Sequence, residues 1–187
     1  RDMRTMRSPA EHAGRCVLAL IASMACASGA AAADVSGTAA LTSDYVWRGT
    51  SQSNEDPAIQ AGFKLAAGNG VYVQAWGSSV EFAPGAGAST EVDLVLGWAG
   101  ALGDSLALDV NLTRYWYPSA AADLDWTEAI ATLTWRDRYW AQLGHSNDAL
   151  ASGESGTYVQ AGARWPLTDA VRIEAAAGHY LLDDAGG

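Results

Sequence analysis

The chain has 187 residues, 49% of them hydrophobic and 17% charged, with a formal net charge of −10 and a pI near 4.5. That length fits one domain, and 11 basic against 21 acidic residues leave no clustered basic surface for nucleic-acid phosphates. Low charge with 9% aromatics also argues against a disordered tail.

Residues 1–33 read as a cleaved export leader. Arg1, Arg4, Arg7 and Arg15 make a basic stretch, residues 16–27 a short apolar core, and Ala31-Ala32-Ala33 the small-residue pattern cut by a signal peptidase. The core is too short for a membrane-spanning helix. A lipoprotein leader cut before Cys26 is the lesser alternative, because Ser23 stands where a leucine is wanted. Cleavage would remove four basic and two acidic residues, leaving 154 residues with a net charge of −12. Cys16 and Cys26 would leave too, so the exported part has no disulfide framework and no thiolate metal site.

From residue 34 onward the pattern has period two, which marks strands with one apolar face. Val35, Gly37, Ala39, Leu41, Tyr45 and Trp47 share one face of the first strand, against Ser36, Thr38, Thr42, Asp44 and Arg48. Ile59, Ala61, Phe63 and Leu65 then alternate with Gln60, Gly62 and Lys64. Residues 71–80 place Tyr72, Gln74, Trp76 and Ser78 on one side. Val92, Leu94, Leu96 and Trp98 oppose Glu91, Asp93 and Gly97, and Leu106, Leu108, Val110 and Leu112 oppose Asp109, Asn111, Thr113 and Tyr115. Segments at 126–135, 138–145, 157–165 and 170–180 bring the expected total to nine strands. Helix is excluded for the alanine-rich stretches, because apolar residues do not recur at three-and-four spacing and glycines interrupt them.

The connections alternate in length. Those at 68–70, 100–104, 136–137 and 166–169 are tight; those at 49–57, 81–90, 118–125 and 146–156 are long. An up-and-down meander with short turns at one end and long loops at the other is the pattern of an outer-membrane barrel. Aromatics near strand ends, Tyr45, Trp47, Trp98, Trp116, Trp135, Tyr139 and Trp165, fit its two interfacial girdles. The expected class is therefore all-β, an antiparallel up-and-down transmembrane β-barrel over 34–187, with outer-membrane lipid as its surroundings. Nine strands is an odd number for a bacterial single-chain barrel, and residues 183–187 read as the start of a long loop. The expectation is that C-terminal strands are missing and the complete barrel has 10 to 12 strands. A soluble secreted β-protein is the competing class.

Leu41-Thr42-Ser43-Asp44-Tyr45-Val46-Trp47-Arg48-Gly49-Thr50-Ser51-Gln52-Ser53, then Asp56-Pro57-Ala58-Ile59-Gln60-Ala61-Gly62, then Gly70-Val71-Tyr72-Val73-Gln74-Ala75-Trp76-Gly77-Ser78-Ser79-Val80 carry a resemblance. In this order they resemble the bacterial outer-membrane family known as Gcw_chp, or TorF. Its pattern runs S-D-Y-x-x-R-G-x-S-Q-S, D-P-A-x-Q-G and G-x-Y-x-G-x-W-x-S-N. The likeness is specific over 41–80 and looser to about 180. Ala61 and Gln74 stand where the family often has glycine, and Ser79 where it often has asparagine. The resemblance implies a barrel in the bacterial outer membrane, with a porin activity that the family carries largely by analogy.

Face assignment sends Asp44, Arg48, Gln60, Lys64, Gln74, Glu91, Asp93, Asp109, Arg164, Arg172 and Glu174 to the lumen, with Tyr72, Trp76, Asn111, Glu128 and Gln160. An unpaired charge is costly in a narrow barrel, so these acids and bases should pair. Side chains nearly fill a lumen of 8 to 10 strands, whereas 12 leave room for a narrow water path. Asp44 and Arg48 are about 13 Å apart along an extended strand and should find partners other than each other. Glu55, Asp56, Asp123, Asp125, Asp148 and Glu154, with Glu81, Asp183 and Asp184, lie in or beside long loops without Lys or Arg. A mouth of one sign favours cations. The expected function is passive diffusion of small solutes with cation preference; the alternative is a structural or surface-interaction barrel with a filled lumen. Catalysis, a cofactor and a dedicated metal site are not expected. His145 and Ser146 are neighbours in a strand and so face opposite ways, and no metal-ligand spacing or nucleotide fingerprint is present.

Overall fold

The computed structural model describes residues 20–25, 33–82 and 87–182. Ten strands form one antiparallel sheet: β1 (Leu20–Ala25), β2 (Ala33–Thr42), β5 (Ala58–Ala67), β6 (Val71–Ser79), β7 (Thr90–Ala101), β8 (Leu106–Trp116), β9 (Trp126–Trp135), β10 (Tyr139–Ser146), β11 (Gly156–Pro166) and β12 (Arg172–Leu182). Each pairs with its neighbour in that order, so the sheet is an up-and-down meander. A two-stranded hairpin, β3 (Val46–Trp47) and β4 (Thr50–Ser51), is inserted between β2 and β5. The nine strands expected from the pattern are β2 and β5 to β12, with their tight turns at one end and long loops at the other.

β1 adds a tenth strand. It lies within the segment read as a leader and pairs with Ser36–Leu41 of β2. The leader's arginines, Ala31 and Ala32, together with Asp183 and Asp184, fall outside the described residues, whereas Ala33 begins β2. Among the described residues β1 and β12 do not pair with each other, so the sheet is not closed into a barrel.

The sheet is curled. Arg48, which follows β2, bonds Glu128 on β9 and Tyr180 on β12, and one side chain reaches strands so far apart in the order only across a concave surface. The two faces differ in chemistry. The convex face exposes Leu41 (60%), Ile59 (69%) and Leu96 (57%), with Phe63, Leu94, Leu112 and Leu143 among others. The concave face buries Glu91 and Glu128 at 2% and 1% exposure, along with Ser78, Thr113 and Ser146. Its apolar members are mainly aromatic: Tyr72, Tyr115, Trp126 and Tyr158.

These large groups need space on the neighbouring strand, and glycine supplies it. Tyr72 lies directly opposite Gly97, and a β-carbon at Gly97 would collide with the tyrosine ring. Gly144 gives Glu128 its room in the same way.

The first expected strand needs correction. The alternation continues formally through Tyr45 and Trp47, but β2 ends at Thr42. The chain turns there because the Thr42 hydroxyl donates to the Asp44 carbonyl (2.7 Å) and the Ser53 hydroxyl accepts the Tyr45 N–H (2.9 Å). Residues 43–57 then fold back over the concave face. Tyr45 and Trp47 are thus interior residues and do not belong to an outward girdle.

The other expected girdle residues keep their strand-end positions. Trp116 lies near the long loops, and Trp135, Tyr139 and Trp165 near the tight turns, all substantially exposed. Trp135 and Tyr139 stack across their turn, with ring centroids 5.5 Å apart. Trp98 is half-buried, and its Nε1 donates to the Asn69 carbonyl at 3.0 Å.

Candidate functional site

The inserted hairpin is built by the residues that stood out in the sequence. Trp47 pairs with Thr50, and Arg48 (φ 50°) with Gly49 (φ 84°) forms the two-residue turn between them. Positive φ at both central positions is the hairpin turn that matches strand twist, and glycine takes it without steric cost. Asp44 staples the base: its Oδ1 accepts from Ser51 (2.6 Å) and Ser53 (3.2 Å). Gln52 ties the hairpin outward, its carbonyl accepting the Glu81 N–H at 2.8 Å.

Arg48 carries the tip to the far wall. Its guanidinium meets Glu128 with two bonds, Nη1 to Oε1 at 2.9 Å and Nη2 to Oε2 at 2.7 Å, and Nη1 also donates to the Tyr180 hydroxyl at 2.5 Å. The Tyr115 hydroxyl donates to Glu128 Oε2 at 3.2 Å. The guanidinium lies 4.0 Å from the Tyr158 ring centroid and 4.3 Å from that of Trp47. Both partners are almost completely buried, so the bidentate geometry and the added donors offset their desolvation. Burial works against the Arg48 cation, but its hydrogen bond to Glu128 and the charge of Glu128 outweigh this and hold its pKa above the ordinary value.

Trp47 packs edge-on against Tyr115 (5.9 Å) and Trp126 (6.1 Å), which themselves stack at 4.3 Å. Tyr45 packs edge-on against Trp76 (5.5 Å) and donates from its hydroxyl to Glu91 Oε1 at 3.4 Å. Burial first, then the charges of Glu91 and Asp93, push the Tyr45 phenol well above its usual pKa. The same causes in the same order raise Tyr117.

The remaining lumen candidates divide by depth. Gln60, Lys64, Gln74, Glu91, Asp93 and Asp109 all line the concave face on β5 to β8. The Lys64 ammonium sits 3.6 Å from the Tyr72 ring centroid, and the Tyr72 hydroxyl donates to Asp109 at 2.9 Å. Arg164 and Arg172 both meet Glu174, at 3.0 and 3.6 Å, on β11 and β12 toward the tight turns, where they are partly solvated.

The acidic loop residues are less uniform than their charge suggests. Glu55, Asp56 and Asp123 are exposed. Asp125 is paired with Arg114 (3.2 Å) and caps the Tyr117 N–H (2.9 Å), so it does not act as a free charge. Asp148 accepts the Gly153 N–H at 2.7 Å and shapes its loop, while Glu154 is half-exposed. His145 is exposed and hydrogen-bonded to Thr157 at 3.0 Å, whereas Ser146 is buried on the opposite face.

Sequence reasoning missed four contributors. Trp126 and Tyr180 face inward at the same parity as Glu128 and Tyr158, and strand parity would have found them. Ser51 and Ser53 were visible only as motif letters; their role depends on the turn they close.

No curated protein and no solved structure matches this chain. A family model matches residues 26–180, which include the whole hairpin and the residues it meets on β9 and β12. The chain belongs to that family, Gcw_chp, described as bacterial protein of unknown function.

Proposed function

We propose that this chain forms a transmembrane β-barrel of the bacterial outer membrane and lets small solutes diffuse passively, with a preference for cations. The observation that carries the reading is the inverted burial, with Leu41, Ile59 and Leu96 outward and Glu91 and Glu128 inward. In water each such outward side chain forgoes about 1.5–3 kcal/mol of burial, whereas in hydrocarbon the same face is favourable and the polar groups belong inside. Strands of eight to 12 residues suit a tilted crossing of the apolar layer. Trp116 at one end and Trp135, Tyr139 and Trp165 at the other suit its two interfaces. In this reading residues 1–33 are the export leader, and strand pairing closes the sheet edges, because hydrocarbon tolerates no unpaired backbone.

A second reading has its own support. The inserted hairpin occupies much of the concave space, which favours a filled barrel without transport. One experiment separates them. The protein is isolated from outer-membrane fractions, tested for heat-modifiable gel mobility, and reconstituted in planar bilayers under a KCl gradient. The pore reading expects a folded, faster-migrating form and a reversal potential of cation-selective sign. Anion selectivity overturns the cation preference, a folded but silent barrel establishes the filled reading, and extraction without detergent removes both.

A further inference from the structure

Three cations on the concave face share one arrangement. Arg48 lies on the Tyr158 and Trp47 rings and pairs with Glu128. Lys64 lies on the Tyr72 ring, whose hydroxyl binds Asp109. Arg164 lies 5.6 Å from the Trp140 ring centroid and pairs with Glu174. In each case an aromatic face and a carboxylate act together, and in a partly desolvated interior this combination binds a cation more strongly than in water.

A fourth place has the same walls without a cation. Beside the hairpin lies a cavity of about 440 Å³ whose lining includes the Tyr45, Trp47 and Trp76 rings with the Asp44 and Asp93 carboxylates. Gln74, also in the lining, adds an amide. Asp93 stands next to Glu91 on the inward face of β7. Asp93 Oδ1 is buried without a donor, whereas Glu91 faces the adjoining space beside Tyr115 and Tyr117 and accepts from Tyr45. Among the described residues neither carboxylate takes part in an ion pair. A buried acceptor left unmatched costs free energy, and Asp93 Oδ1 calls for a partner.

We infer that this cavity binds a small organic cation, an alkylammonium head group, seated on the Tyr45 and Trp76 rings and neutralised by Asp93. The rings favour an organic head group over a bare metal ion, which would want a shell of oxygens. Among the described residues no group of three or more metal-ligating side chains exists to supply one. The cavity is large enough for a head group of a few carbons. The inference deepens the pore reading and rests on it for access from outside, but binding can be measured separately from conduction.

The test uses the full-length protein folded in detergent, with choline as the probe. Tryptophan emission from Trp47 and Trp76 should change saturably with choline, and Asp93→Asn should weaken the midpoint at least tenfold. Trp76→Leu should do the same and serves if the first variant folds poorly, with heat-modifiable mobility as the check on folding. No saturable change overturns the inference and leaves Glu91 and Asp93 as a pair sharing a proton. Equal response to glucose, competition by magnesium at equal concentration, or an unweakened Asp93→Asn also overturns it. Binding in a barrel that does not conduct defeats the pore and keeps the cation site; conduction without binding does the reverse.

Discussion

Arg48 shows how much one residue can hold. It occupies a positive-φ turn position that costs on the order of 1 kcal/mol for a residue with a β-carbon, and it spends its whole side chain on the far wall. Its main partner, Glu128, is 80 residues away in sequence. Removing one member of a buried pair strands the other charge, so Glu128→Leu should destabilise the fold by about 3–5 kcal/mol. The double variant Arg48→Met with Glu128→Leu should cost far less than the two single changes together. Urea unfolding in detergent, followed by tryptophan emission, measures the cycle; strictly additive losses would refute the pairing. Asp44 and Arg48 take separate partners, as expected, although the strand assumed to hold them apart ends at Thr42. It could not name Glu128, because the contact depends on how far the sheet curls.

At the scale of the element, alternation is a strong signal because a strand's side chains have a strict period of two. It located eight of the nine expected strands within a few residues. It overran the first, since Tyr45 and Trp47 continue the parity of Leu41 while the Thr42, Asp44 and Ser53 bonds turn the chain inward. Glycines on the inward face carry a second element-scale signal, as seats for large groups from the next strand. Gly97→Val should displace the Tyr72 ring and cost about 1–3 kcal/mol. Ala61→Val, on the exposed convex face of β5, should change stability by no more than about 0.5 kcal/mol. Temperature midpoints of the heat-modifiable gel shift compare the two, and equal midpoints would discard the seating argument.

For the whole molecule, the hairpin decides whether the concave space is a passage or a packed interior. It is anchored at its tip by Arg48 and beside it by Trp47, edge-on against the stacked Tyr115 and Trp126. If it narrows a pore, loosening it should widen the pore. Trp47→Ser together with Arg48→Ser, in protein that still shows the folded gel form, should raise single-channel conductance at least twofold. Unchanged conductance would mean that the narrowest point lies elsewhere. The aromatic rings Tyr72, Trp76, Tyr115 and Tyr158 crowd the same concave space and set an upper limit on how far it opens.

By itself the sequence determined the all-β class, the meander, the sorting of short and long connections, and which residues face the polar side. These follow from local periodicity and turn chemistry, which act over a few residues. Only the tertiary structure decided that the densest motif, residues 41–53, is an inserted hairpin and not a strand end. It also decided which acids meet which bases and which carboxylates are left without a cation. Those outcomes depend on the curvature of the sheet, a sum over all its strand pairs that no single segment encodes.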